Sequence, residues 1–252
     1  MNVLSSNPTA TMLIIGNEIL SGRTQDSNLK YLAETLLRKG IKIIETRIVP
    51  DIENEIIDAV NILRKKSDYC FTTGGIGPTH DDITALAISK AFGVDLLLNP
   101  DARQILLNYY GSEKELTEAR LKMAQIPSGA SLILNPVSGA PGFKIENVYV
   151  MAGVPRIMQA MLDDVMISLI GGAKIHALTI SCNLGESVLA KRLETIQSRY
   201  PDVEIGSYPQ YRNGVVGVSL VARGVDFDHV TNARDLIRGM IFDLGGDVTA
   251  EF

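Results

Sequence analysis

Thr72 to Thr84 reads TTGGIGPTHDDIT: three glycines and a proline directly after an apolar run, then two adjacent carboxylates, Asp81 and Asp82. Gly74, Gly75 and Gly77 allow positive φ and close backbone approach, while Pro78 stiffens the exit past Thr79. The helical pattern that follows offers N–H groups and the positive end of its dipole to an anion. A phosphate suits such a loop. The acids beside it do not, since an extra carboxylate repels a pyrophosphate by a few kcal/mol at an effective dielectric of roughly 20. A divalent cation removes the conflict: hard oxygen ligands suit Mg²⁺ or Mn²⁺, which bridge protein carboxylates to phosphate oxygens. A purely structural reading remains, in which the glycines make a tight strand-to-helix turn and Asp81 or Asp82 caps the helix.

Two other turns bring acids to the same edge. In an open parallel sheet, ligands bind outside the carboxyl ends of the strands, where successive βα turns open on one crevice. Gly16-Asn17-Glu18 follows the first predicted strand and Pro50-Asp51 the second, so Glu18, Asp51, Asp81 and Asp82 are expected to converge. Asp81, Asp82 and Asp51 are the candidate metal ligands; Asp51 and Glu18 alternatively orient the attacking water, and Asp51 alternatively serves as general base. Ser21 and Asn28 are expected to touch phosphate or ribose. The turns holding Gly139, Gly142, Gly153 and Pro155 are expected to add backbone donors, although they also read as ordinary turns and a helix start. His80 is a ligand, a proton shuttle or merely a solvated loop histidine.

The elements that must position these residues alternate. Strands are predicted at residues 12–16, 41–49 and 68–73, with helices at 27–39, 52–66 and 82–92, the β-α pattern of a parallel sheet with right-handed crossovers. Helices follow at 101–110 and 114–124, strands at 131–135 and 148–152 around the turn-rich PVSGAPGFK, and a helix from Pro155 to Ile170. Gly171-Gly172 then marks a boundary, giving domains 1–172 and 173–252. The second reads β-α-β-β-α-β, a split βαβ unit.

Composition narrows the function classes. Of 252 residues, 46% are hydrophobic and 21% charged, with a net charge of −5, and no run approaches the eighteen or so apolar residues of a membrane helix. The expectation is a cytoplasmic protein with neither membrane nor nucleic-acid partner; the leader MNVLSSNPTA lacks the features of a signal peptide. Cys70 and Cys182 sit in predicted strands as small buried hydrophobes. GxSxG, GxxxxGK[ST] and GxGxxG are absent, which disfavours a serine hydrolase, a P-loop NTPase and a dinucleotide oxidoreductase.

The chain resembles the N-terminal domain of the CinA family, a branch of the MoaB/Mog-like molybdopterin-binding superfamily that also supplies the first half of eukaryotic FAD synthases. The resemblance rests on IGNEILSGRTQDSN (15–28), Val49-Pro50-Asp51, TTGGIGPTHDD (72–82), AQIPSGASLILNPVSGAPGF (124–143), GVPRIM (153–158) and the late GESVLAKRL and EIGSYP stretches. It covers essentially the whole chain. One departure is Met151-Ala152, where relatives usually read Leu-Pro. The resemblance implies a three-layer α/β/α domain with a mostly parallel sheet, a small KH-like α+β domain, and a homodimer. It further implies metal-dependent (Mg²⁺, Mn²⁺ or Co²⁺) hydrolysis of nucleotide pyrophosphates such as ADP-ribose or FAD, with AMP as product. Two alternatives stand beside it: adenylylation of molybdopterin at the same loop, and a non-catalytic nucleotide- or RNA-binding module. The latter is weakened because the one GxxG of the second domain, Gly214 to Gly217, has apolar middle residues and enters a predicted strand.

Overall fold

A computed structural model describes residues 7–212 and 215–252; the leader through Ser6 and Gly214 of the GxxG lie outside them. The chain forms two compact units that divide after Gly172. In chain order the first reads β1 (Thr9–Ile15), α1 (Asn17–Leu20), α2 (Asn28–Arg38), β2 (Lys42–Val49), α3 (Glu53–Leu63), β3 (Tyr69–Thr73) and α4 (Thr84–Phe92). It continues with β4 (Leu96–Leu98), α5 (Pro100–Tyr110), α6 (Glu118–Lys122), β5 (Gln125–Pro127), β6 (Ser131–Ile133), β7 (Gly142–Ile145), β8 (Val148–Met151) and α7 (Pro155–Ser168).

Six strands form one sheet in the order β2-β1-β3-β8-β7-β6. β2, β1, β3 and β8 run parallel, and β7 and β6 are added antiparallel. Both faces are covered, as a parallel sheet requires. One face buries Leu13, Val60, Leu63, Ile88 and Phe143 among the residues of α3, α4 and α5. The other buries Met12, Leu32, Leu36, Phe71 and Met161 with α2 and α7. Each such side chain contributes about 1.5–3 kcal/mol on leaving water, so the two apolar layers fix which way every strand's carboxyl end faces. The mixed α/β, three-layer architecture is the expected one.

The strand order places the site. From β1 the chain crosses outward to β2 and then returns past β1 to β3, so the direction of winding reverses between β1 and β3. That reversal opens a crevice between the loops leaving β1 and β3. β8 lies on the far side of β3 and delivers a third loop. β2, at the sheet edge, lies outboard of β1.

The second unit comprises β9 (His176–Cys182), α8 (Glu186–Arg199), β10 (Glu204–Arg212), β11 (Val215–Gly224), α9 (Phe227–Asp243) and β12 (Val248–Glu251). Its sheet has the order β10-β11-β9-β12 and is antiparallel throughout, the split βαβ arrangement. Ile180, Leu220, Leu189 and Ile237 belong to its core. At the start of α9, Asp226 accepts the N–H of His229 at 3.0 Å, and His229 Nδ1 stands 2.7 Å from Asp202 Oδ2. The bond to Asp202, followed by the charges of Asp202, Asp226 and Asp228, raises the imidazole above its ordinary value. A raised histidine pKa adds stability that is complete below the unfolded-state value, about 6.5, and is lost as pH rises through the folded-state value. The melting-temperature difference between the parent protein and His229→Gln should therefore be largest below that pH and shrink toward pH 9. A difference independent of pH would contradict the pairing.

Candidate functional site

The glycine loop is shaped by its neighbours. The Gly74 N–H donates to Met151 O of β8 at 3.1 Å, the Thr84 N–H donates to Gly75 O at 3.0 Å, and the buried Thr84 hydroxyl donates to Gly74 O at 2.9 Å. Gly74 has φ 104° and Gly75 φ 67°. A Cβ on Gly74 would stand 2.1 Å from the Ile15 carbonyl oxygen, and one on Gly75 would stand 2.2 Å from Thr84 Oγ1. Glycine is required at both positions. Among the described residues, the next three N–H groups, those of Gly75, Ile76 and Gly77, donate to no protein acceptor. Successive unpaired N–H groups after positive-φ glycines make an anion-binding concavity.

α4 begins at Thr84, two residues later than its sequence pattern suggested, with Ile83 at the cap position and no side chain bonding the helix end. Neither Asp81 nor Asp82 caps it. Asp82 instead turns back on the loop: its Oδ2 accepts the Thr79 N–H at 2.8 Å and also the Thr79 hydroxyl. Lys122, at the end of α6, donates its ammonium to the Thr79 carbonyl. The loop is thereby closed from both sides.

A cavity of about 570 Å³ opens in front of this loop, within the size range of sites for drug-sized ligands. Glu18 and Asp82 line it, with Gly74, Gly75, Gly77 and Pro78 from the β3 loop and Gly153 and Pro155 from the β8 loop. The β3 and β8 loops touch: a Cβ on Gly153 would lie 3.2 Å from Gly74 Cα. Asn28, buried at the start of α2, donates from Nδ2 to the Gly153 carbonyl at 2.7 Å, while its Oδ1 is buried without a protein partner. It braces the β8 loop from behind and does not line the cavity.

Other expected residues lie elsewhere. Asp51 accepts the Asn17 N–H at 2.9 Å and anchors the start of α1; it follows the outboard strand β2, which keeps it out of the cavity lining. Asp81 is exposed, with His80 Nδ1 3.9 Å from its carboxylate. Ser21 donates its hydroxyl to the Glu18 carbonyl at 3.2 Å, exposed at the end of α1. Thr79 lines an outer groove beside the cavity. Gly139, at φ 74°, is backed against the Tyr109 ring, and Gly142 lies in β7 against the Val150 carbonyl; their neighbours Ser138 and Ala140 reach the cavity instead.

Among the described residues no three His, Cys, Asp or Glu side chains come together to hold a metal ion. The expected trio of Asp51, Asp81 and Asp82 is thus not assembled, because Asp51 is spent on Asn17 and Asp81 faces solvent. What the cavity offers is two carboxylates, Glu18 and Asp82. That donor set does not suit a resident ion held by protein alone.

Sequence reasoning missed Tyr110, Met123 and Asn135, which also line the cavity. Asn135 organises its loop, accepting the Val137 and Ser138 N–H groups at 3.0 and 3.1 Å and donating to the Ala140 carbonyl at 2.8 Å. Its Asn-Pro step announced a turn but not a cavity wall. Lys122 gave no signal beyond one charge on a short helix. No helix among the described residues is long and apolar enough to cross a membrane.

Comparisons with known proteins match both units of the chain. Residues 11–171 match the family model described as a probable molybdopterin binding domain, and residues 174–243 match the FAD synthase middle domain. A protein of Archaeoglobus fulgidus is 35% identical over 199 residues, covering 79% of this chain and 85% of its own. One from Aeropyrum pernix is 30% identical over 265 residues, covering 98% and 99%. Among solved structures, CinA of unknown function from Thermoplasma acidophilum is 35% identical with a TM-score of 0.61, over 65% of this chain and 98% of that one.

Proposed function

The chain belongs to the molybdopterin-binding-domain family, in its CinA-like branch, and from that premise we propose that it hydrolyses the P–O–P linkage of a nucleotide pyrophosphate such as ADP-ribose or FAD, releasing AMP. The observation that carries the reading is the pairing of three unengaged N–H groups, Gly75 to Gly77, with two carboxylates, Glu18 and Asp82, on one cavity. The N–H groups bind phosphoryl oxygens and meet the charge that develops on them. Glu18 is exposed at the cavity wall and takes the proton of the attacking water. As that oxygen bonds to phosphorus, the bridging P–O bond breaks and one product leaves as a phosphate monoester. A divalent ion entering with the substrate would supply charge neutralisation between the phosphates and the two acids. Asp82 holds Thr79, and Asn28 holds Gly153, so both walls keep their shape during turnover.

The test is incubation with ADP-ribose, FAD, coenzyme A and NAD in the presence of Mg²⁺, Mn²⁺ or Co²⁺, with nucleoside monophosphate measured by chromatography. Release of AMP with a divalent ion supports the reading. A second reading, adenylyl transfer to a pterin, is favoured by the family description itself. It predicts pyrophosphate release from ATP only when a pterin acceptor is present, with ADP-ribose and FAD left intact.

A further inference from the structure

Lys122 reaches the glycine loop from a braced segment. α6 begins where the Thr117 hydroxyl accepts the Arg120 N–H. The Arg120 guanidinium ties this segment back, donating to the Glu115 carboxylate at 2.7 Å and lying 4.0 Å over the Tyr110 ring. On the other side Ala124 is buried, and its carbonyl accepts the Asn99 N–H at 2.9 Å. The residues two before and two after Lys122 are thus anchored. The Thr79 carbonyl accepts both the Lys122 ammonium and the Asp82 N–H, the latter at 3.3 Å, while the Thr79 N–H and hydroxyl donate to Asp82 Oδ2. Thr79 to Asp82 is therefore a turn bonded to itself at both ends. Among the described residues, Lys122 is the one side chain from another element that hydrogen-bonds to it. Asp82 also lines the cavity, so the orientation of this turn sets where its carboxylate stands.

We propose, resting on the pyrophosphatase reading, that Lys122 is a positioning residue for Asp82: clasping the Thr79 carbonyl from α6, it fixes the turn that carries the carboxylate and, through that turn, the rate of the chemical step. The start of the glycine loop is held separately. Gly74 and Gly75 are fixed by Met151 and Thr84, in bonds that do not involve Lys122. Loss of the clasp therefore leaves substrate capture in place and loosens the acid, and a misplacement of about 1 Å costs on the order of 100-fold in rate. Arginine at this position keeps a charged donor for the carbonyl, whereas methionine keeps an apolar stem and loses both the charge and the donor.

Steady-state kinetics of AMP release by the full chain test this, with ADP-ribose or FAD, whichever the parent cleaves faster. Lys122→Met should lower kcat by about tenfold or more and leave KM within about threefold, and Lys122→Arg should restore kcat to within about threefold of the parent. In an Asp82→Asn background the same Lys122→Met change should cost less than about twofold, because the group it acts through is already gone. Melting curves check that each variant is folded, and Lys122→Gln, also uncharged, replaces the methionine variant should that one fail to fold. A kcat unchanged by Lys122→Met, a raised KM in place of a lowered kcat, an arginine variant as slow as the methionine one, or an equal loss with and without the Asp82 carboxylate overturns the positioning role and leaves the pyrophosphatase reading standing. If the parent releases AMP from neither substrate, both readings fall.

Discussion

Gly74→Ala is expected to be the most destabilising single-methyl substitution in the glycine loop. The added Cβ would sit 2.1 Å from the Ile15 carbonyl oxygen, a backbone atom at the end of β1 that cannot swing aside as a side chain would. The φ of 104° adds strain of its own, since L-residues rarely occupy that region. Together the two effects should cost about 3 kcal/mol or more. At roughly 2–4 °C per kcal/mol for a protein of this size, the melting temperature falls by about 10 °C. Gly129→Ala provides the reference: Gly129 also has positive φ, 82°, but its Cβ would meet nothing within 4 Å, so only the backbone term of about 1–2 kcal/mol remains. Thermal melts of the two variants separate strain from collision. Equal losses would show that the β1 and β3 loops are not locked together as described.

Asp82→Asn should leave the fold intact and remove most of the turnover. Asparagine keeps an oxygen that can accept the Thr79 N–H, but it carries no charge. A unit charge acting over ~5 Å at an effective dielectric of ~20 is worth about 3 kcal/mol, or roughly 100-fold in rate. Asp81→Asn serves as the comparison. Its carboxylate is 57% exposed beside a fully solvated His80, so the change should stay within about tenfold, as befits a screened surface charge. Initial rates of AMP release for both variants decide the order. A larger loss from Asp81→Asn would move the chemistry from the cavity wall to the loop's outer face.

Much of this was legible in the residues, for identifiable reasons. The stretch from β1 to α4 alternates β-branched runs with amphipathic periods, and each such period can bury only one way on a parallel sheet. The glycine loop was legible because its composition is a backbone requirement, and Gly74 and Gly75 meet it. The region between α4 and α7 was harder. β4 and β5 have three residues each and β7 four, too few to display a period, and β7 opens on Gly142, inside the turn-rich PVSGAPGFK. The predicted helix 114–124 breaks into a single 3₁₀ turn and α6 at Thr117, whose hydroxyl caps the new start. Asp51 was placed with the other acids because strand ends share an edge; that its strand lies outboard is a property of strand order, which no local pattern carries. Tyr110, Met123 and Lys122 reach the loop only through the packing of α5, α6 and β5.

The central claim is that an acidic cavity receives an anionic ligand by way of a cation. Titration of the methylene-bridged ADP-ribose analogue into the full chain, once with Mg²⁺ and once with a chelator, measures it directly. With Glu18 and Asp82 both lining the cavity, affinity should be at least tenfold higher with Mg²⁺, and Asp82→Asn should narrow that gap. Equal affinity in the chelator would mean that the N–H groups of Gly75 to Gly77 hold the phosphates unaided and that the two carboxylates serve only the loop's shape.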